Sequence, residues 1–412
     1  MTLFSTSQRM PVNLETMFNP ENLEATLARH ATKPSIHLTI PRLRYFNHTR
    51  PFIRLTEDVV RNIFEYVVDG DVMYTAFASF SRPHPRAAPL SIWGISRQCA
   101  QWAEAEKGIW AAVSGMQHHP NSPHVELVKR WIQRADPRTP RTIQEGEGPL
   151  RPLSFHIAPP NYEAWGYTDE ELGDFEDEMT PRILRVFMQH APRWLDIAFD
   201  LDDTLADVYL GLIGTTSNAP GQVRHLELLA NKVSTLRAAD EIFKTIELFS
   251  GTVTKIMWSG PQDFVSSLVT QPISLPHVEV LGMDVCNPKE IYECLQKLRV
   301  PKLVELKICF CGPYTGPAVH WRDNIVKLLQ IVAALPQLPK VLWIHEDGLR
   351  SDPGAMRVLV YWTFQKGIEM LGLSANGMQA GDVADTLQGS GYDIVWNDDD
   401  GSVEIRKLES NR

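Results

Sequence analysis

The sequence predicts an α+β protein in two parts: an N-terminal module of three short helices, then a longer α/β solenoid of repeats. Three observations predict it. The chain has 412 residues, too many for one hydrophobic core, which favours several folding units or an array that grows in one dimension. Between Leu55 and Trp110 apolar residues recur at helical spacing. Beyond residue 135 a short apolar motif of strand type returns to the end of the chain.

Residues 1–50 carry Pro11, Pro20, Pro34 and Pro41 with one short amphipathic stretch, Glu21 to Arg29, and are expected to be an irregular lead-in. Residues 51–135 are assigned to the helical module. Its first helix spans Leu55 to Val68, where Leu55, Val59, Val60, Ile63, Phe64 and Val67 share one face and Thr56 and Asp58 can cap the first turn. A loop from Asp69 to Pro89 follows, marked by Ser81-Arg82-Pro83-His84-Pro85. Leu90, Ile92, Ile95, Cys99 and Trp102 then form a second amphipathic stretch, and Ala105 to Val113, centred on Trp110, a third. Helices this short bury their apolar faces only against one another or against a partner. Val125 to Ala135 is also helical.

Residues 136–412 are assigned to the solenoid. The motif is apolar, two residues, apolar, one residue, apolar: Leu150-Leu153-Phe155, Trp194-Ile197-Phe199, Val223-Leu226-Leu228, Val253-Ile256-Trp258, Val278-Leu281-Met283, Leu303-Leu306-Ile308, Leu338-Val341-Trp343 and Ile368-Leu371-Leu373. From the second onward the starts are about 25 to 35 residues apart, which brackets the leucine-rich repeat, one strand and one helical return per unit. Helix-compatible returns lie between them at Phe243 to Phe249, Glu290 to Leu298, Arg322 to Leu335 and Gly354 to Gln365, and an apolar helix from Ile183 to Met188 precedes Arg193-Trp194. Tyr392-Ile394-Trp396 and Val403-Ile405 alternate around Asn397 to Gly401, a hairpin that would cap the array.

Composition narrows the function. The formal charge is -10, with Lys and Arg scattered rather than clustered, which argues against nucleic acid as a partner. No stretch reaches the roughly 18 apolar residues of a membrane span, and Met1 to Met10 lacks the pattern of a secretion signal; a soluble cytoplasmic or nuclear protein is expected. Cys99, Cys286, Cys294, Cys309 and Cys311 are odd in number and read as reduced thiols. Zinc ligand pairs usually sit two to four residues apart, so Cys309-Phe310-Cys311 is read as structural. No cofactor or metal is expected. The acidic run 169–178 is read as a solvated insertion.

Leu55-Thr56-Glu57-Asp58-Val59-Val60-Arg61-Asn62-Ile63-Phe64 resembles the opening of an F-box, Cys99-Ala100-Gln101-Trp102 its later Cys-x-x-Trp, and Gly108-Ile109-Trp110 its closing Pro-x-Leu-Trp. Trp131-Ile132-Gln133-Arg134, Pro152-Leu153-Ser154 and Arg193-Trp194 extend the resemblance to fungal F-box-like proteins with a divergent leucine-rich-repeat-like region, across roughly Leu55 to Leu201. Thr56 stands where the family has Pro, and Gln98 where an apolar residue precedes the Cys. The resemblance implies a non-enzymatic substrate receptor of the ubiquitin conjugation pathway. Leu55, Val59, Ile63, Phe64, Ile95, Cys99, Trp102 and Trp110 would dock on a Skp-type adaptor joined to a cullin scaffold, and the repeats would present a target protein. Its action is then proximity, raising the effective concentration of a target lysine beside a charged enzyme. Non-frame positions on the strands, Lys255, Met257, Asp284, Glu305 and Lys307, are the expected target-binding residues.

A rival reading comes from Phe199-Asp200-Leu201-Asp202-Asp203-Thr204-Leu205, which resembles the first motif of magnesium-dependent haloacid-dehalogenase-like phosphatases. Asp200 would be the nucleophile and Asp202 the acid/base. Gly381-Asp382 and Asp385 loosely resemble that family's later metal-binding acids. The motif opens its domain in that family, whereas here about half the chain precedes it. Gly146-Glu147-Gly148 and His118-His119 form no active-site pattern.

Overall fold

In a computed structural model the chain divides into two compact units, residues 1–60 and 61–412. The structure describes residues 72–74, 78–81, 83, 110–116, 123–135, 151–160, 179–214, 222–261, 264, 266–285, 288–310, 319–345, 353–374, 380–387, 391–397 and 402–407, all in the second unit. The strands are β1 (Val72–Tyr74), β2 (Ser79–Ser81), β3 (Ala112–Ser114), β4 (Leu153–Ile157), β5 (Trp194–Asp202), β6 (His225–Lys232), β7 (Lys255–Ser259), β8 (Ile273–Ser274), β9 (Val280–Val285), β10 (Leu298–Arg299), β11 (Glu305–Phe310), β12 (Val341–His345), β13 (Met370–Ser374), β14 (Tyr392–Asn397) and β15 (Ser402–Lys407). The helices are α1 (Val125–Ala135), α2 (Met179–Met188), α3 (Asp203–Ile213), α4 (Leu236–Lys244), α5 (Pro288–Gln296), α6 (Val319–Ala333), α7 (Pro353–Gln365) and α8 (Ala380–Leu387).

Thirteen strands form one sheet in the order β1-β2-β3-β4-β5-β6-β7-β9-β11-β12-β13-β15-β14, while β8 and β10 pair separately. From β2 to β13 every ladder is parallel; β1, β14 and β15 pair antiparallel at the two ends. Parallel neighbours require long crossovers; α1 to α7 lie in the crossovers from β3 to β7 and from β9 to β13, and the β7–β9 crossover carries the short strand β8. The starts of β7, β9, β11, β12 and β13 are fixed in the same way. Thr254 and Lys255 both donate their N–H to the Arg224 carbonyl, Glu279 and Val280 to that of Thr254, and Val304 and Glu305 to that of Glu279, at 2.8–3.2 Å.

Alternation then sorts the side chains. In β11 Leu306, Ile308 and Phe310 are buried and Glu305, Lys307 and Cys309 half-buried. The buried set packs on the helices: Phe243 of α4 meets Trp258 edge-on at 5.0 Å, and Phe155 of β4 stacks on Phe187 of α2 at 4.2 Å. Trp194 donates its indole N–H to the Phe187 carbonyl at 3.0 Å, which keeps a buried donor satisfied. Buried Tyr209 hydrogen-bonds Thr245 at 2.8 Å, and burial pushes its phenol above the usual range. At the end of α7, Gly367 adopts φ 85°. There the N–H of Ile368 reaches the Thr363 carbonyl and that of Gly367 the Phe364 carbonyl, closing the helix with a left-handed residue that favours glycine.

This architecture corrects the expected fold class. The described residues form an α/β fold around one large, mostly parallel sheet, not an α+β arrangement of a three-helix module followed by a separate solenoid. The sheet already begins at Val72, inside the span given to the module, and β3 occupies Ala112–Ser114, where the third helix was expected to end. Strands of three residues carry too little alternation to be read from sequence. The first two expected helices, Leu55 to Val68 and Leu90 to Trp102, lie outside the described residues.

The strand motif maps onto the buried stripe: Leu226 and Leu228, Ile256 and Trp258, Leu281 and Met283, Leu306 and Ile308, and Leu371 and Leu373 are all buried. One instance is off by a residue. Leu342 and Ile344 pair with Leu306 and Ile308 and are buried, so Val341 and Trp343 face the other way. A slip of one residue moves every side chain to the opposite face. The expected helix Phe243 to Phe249 starts earlier, where Thr235 accepts the Ala238 N–H as N-cap of α4, and a 3-10 turn covers Thr245–Phe249.

Candidate functional site

The sheet face opposite the buried stripe presents aligned rows, because parallel pairing in register sets one residue of each strand beside the next. One row runs Asp196, His225, Lys255, Val280, Glu305, Val341 and Met370. The next holds Ala198, Glu227, Met257, Gly282, Lys307, Trp343 and Gly372, and the third Asp200, Leu229, Ser259, Asp284, Cys309, His345 and Ser374.

From β7 to β13 this face is half-exposed at Lys255, Met257, Glu305, Lys307, Val341, Trp343 and Met370. Two glycines shape it. A β-carbon at Gly282 would overlap the Met257 sulfur, and one at Gly372 would overlap the Trp343 indole. The glycines thus let a thioether and an indole lie flat across the neighbouring strand, giving a level apolar shelf. The Lys307 ammonium lies 5.8 Å from the Trp343 ring centroid and 3.2 Å from the Glu305 carboxylate, so one cation bridges the ring and an acid. Beside the shelf His345 Nδ1 and Ser374 Oγ are 2.8 Å apart. Flat aromatic and sulfur-bearing side chains inside a charged rim are what protein interfaces are enriched in.

At β4 to β6 the same face becomes more polar and more enclosed. Ser154 donates to Asp196 Oδ2 at 2.7 Å, and His225 Nδ1 lies 2.8 Å from Asp196 Oδ1. Burial raises the Asp196 carboxyl, but hydrogen bonds from His225 and Ser154 and the charges of His225 and Arg224 leave it below the usual range. Ser114 Oγ lies 2.9 Å from His156 Nδ1 in a buried pair. The same oxygen accepts the Met116 N–H at 3.3 Å.

All five expected target-binding residues lie on this face: Lys255 and Met257 on β7, Asp284 on β9, Glu305 and Lys307 on β11. Sequence reasoning missed Trp343, Gly282 and Gly372. The signal was a large residue paired across the strand with a glycine, visible only once the register is known. Of the expected adaptor-binding residues, Leu55, Val59, Ile63, Phe64, Ile95, Cys99 and Trp102 lie outside the described residues. Trp110 is fully buried, edge-on to Trp131 at 4.9 Å and under the Arg134 guanidinium at 5.0 Å, so its indole serves the core.

The acidic motif is occupied locally. Asp202 caps α3 by accepting the Leu205 N–H at 2.9 Å, Asp203 accepts the Ser234 N–H at 2.8 Å, and Asp200 pairs with Lys232 at 2.6 Å. Burial pushes the Asp200 carboxyl above its usual range against the pull of Lys232. Gly381, Asp382 and Asp385 belong to α8, which follows β13, six strand spacings of about 4.8 Å each from β5. The structure does not bring these acids together. Cys294 is buried, with its thiol pushed up by burial and by the charge of Glu290, and Cys309 is half-buried. Cys99, Cys286 and Cys311, with Gly146 to Gly148, His118 and His119, lie outside the described residues. Among the described residues no group of three His, Cys, Asp or Glu is placed to hold a metal ion, and no helix is long and apolar enough to cross a membrane.

Comparison with models of known protein families, with curated proteins and with solved structures finds no match.

Proposed function

We propose that the protein is a receptor that holds a target protein on the half-exposed face of its sheet and delivers it to a ubiquitin ligase. The observation that carries the target-binding half is the level shelf of Met257 and Trp343 over Gly282 and Gly372, rimmed by Lys255, Asp284, Glu305 and Lys307. The Trp343 indole over Gly372 offers a partner contact area that loses little side-chain entropy on binding, and the Met257 thioether over Gly282 extends it. The adaptor-binding half is supported by the F-box-like pattern from Leu55 to Trp102, which would engage a Skp-type adaptor on a cullin scaffold in the cytoplasm or nucleus. Trp110, being buried, is left out of that surface.

The experiment separates the two halves. Tagged protein is purified from cells, and its partners are quantified for the wild type, Leu55→Asp/Ile63→Asp and Met257→Glu/Trp343→Glu. The adaptor is expected to be lost from the first variant alone and a specific set of other proteins from the second alone. Identical partners for all three would overturn the reading. The phosphatase reading gains nothing from the geometry, since the Asp202 carboxylate is engaged in capping and Asp200 in an ion pair.

A further inference from the structure

On the rim where β6, β7, β9 and β11 begin, away from the Met257–Trp343 shelf, a groove of about 420 Å³ is lined by Arg224, Thr252, Thr254, His277, Glu279 and Lys302 among others. The volume lies in the range of small-ligand sites. The rim is rigid, because the carbonyls of Arg224, Thr254 and Glu279 each accept two N–H groups from the next strand start. The backbone at Arg224, Thr254 and Glu279 is therefore stepped one strand at a time along the rim. Among the described residues, no side-chain hydrogen bond or ion pair is made by Arg224, His277, Glu279 or Lys302. Three basic side chains thus border one concavity with their donor groups unspent.

We propose that this groove binds a phosphomonoester. Arg224 would give paired N–H donors, with Lys302 as a point charge and His277 as a third donor. A phosphoryl group has three terminal oxygens to receive donors from three sides, whereas a carboxylate has two. Thr252 donates its hydroxyl proton to the Val223 carbonyl at 2.8 Å and Thr254 to that of Arg224 at 3.2 Å. Their oxygens are left as acceptors for the organic part of the ligand, for which the groove has room. Glu279 opposes the anion, so removing its charge strengthens binding. That sign ties the bound anion to the groove that Glu279 lines.

The source of the phosphomonoester is either a free small molecule or a phosphorylated side chain of a bound protein, and the two are told apart in one titration series. The full chain is titrated calorimetrically with O-phosphoserine and with a phosphoserine peptide, using serine, acetate and sulfate at matched ionic strength as controls. Lys302→Ala is expected to weaken O-phosphoserine binding roughly tenfold, the scale of one charge-assisted hydrogen bond, and Glu279→Gln to tighten it. Both residues are exposed, and thermal melts confirm that each variant is folded. A peptide that binds more tightly than O-phosphoserine assigns the ligand to a protein, and equal binding assigns it to a small molecule. The proposal is overturned if the wild type binds no phosphomonoester at millimolar concentration, if sulfate binds equally well, or if both variants bind as the wild type does. None of these outcomes depends on the adaptor or on the sheet face, so the site fails or stands apart from the receptor reading.

Discussion

A single carboxylate in this molecule takes its meaning from what it caps or pairs with. Asp202 satisfies a donor at the start of α3, so Asp202→Ala should cost about 1 kcal/mol in urea unfolding. Asp200→Asn should stay within about 0.5 kcal/mol of wild type, because burial already disfavours its charge and exposed Lys232 can turn to water. Equal losses from the two changes would contradict these roles. Asp196 behaves differently: its folded pKa is lowered. It therefore adds stability above its unfolded value of about 3.9, and that stability is lost as pH falls through the lower folded value. Asp196→Asn should lose less stability than the wild type on acidification below about pH 4, a difference measurable by urea unfolding across that range. The sequence showed the acids 200 to 203 but not their duties. A capping Asp and a catalytic Asp look alike until the hydrogen-bond partner is known, and Asp196 draws its partners from two other strands.

Strands with strict alternation were legible as elements, because Leu306-Lys307-Ile308 or Ile256-Met257-Trp258 assigns each residue to a face. Val341-Leu342-Trp343-Ile344 was not, since four apolar residues in succession leave the face undecided. The neighbouring register decides it, and with it the shelf. Leu342→Ala should cost about 2–5 kcal/mol as a core truncation, while Trp343→Ala, on the half-exposed face, should cost far less. Thermal melting of both variants checks this, and the reverse order would mean that the strand sits in the other register. Gly372→Ala should be more harmful than Gly282→Ala, because a whole indole must move in the first case and only the flexible tip of Met257 in the second. The helix α3 is hidden in the sequence because Asp202 and Asp203, its cap and first turn, fit a catalytic acidic motif as well as an N-terminal signal.

At the scale of the molecule, residues assigned to separate parts belong to one sheet. Val72–Tyr74 and Ala112–Ser114 stand in the same strand array as residues 370–374. The sequence suggested a boundary near residue 135 because recognisable strand motifs begin after it, while β1 to β3 are too short to announce themselves. On the receptor account one continuous sheet would carry both proposed surfaces, the target face from β7 to β13 and the groove along the strand starts. The most direct test of the receptor account is co-expression with a Skp-type adaptor followed by size-exclusion chromatography, for the wild type, Leu55→Asp/Ile63→Asp and Trp343→Ala. The account predicts a one-to-one complex for the wild type and Trp343→Ala and none for the double variant. A folded wild-type protein that elutes without the adaptor would contradict it.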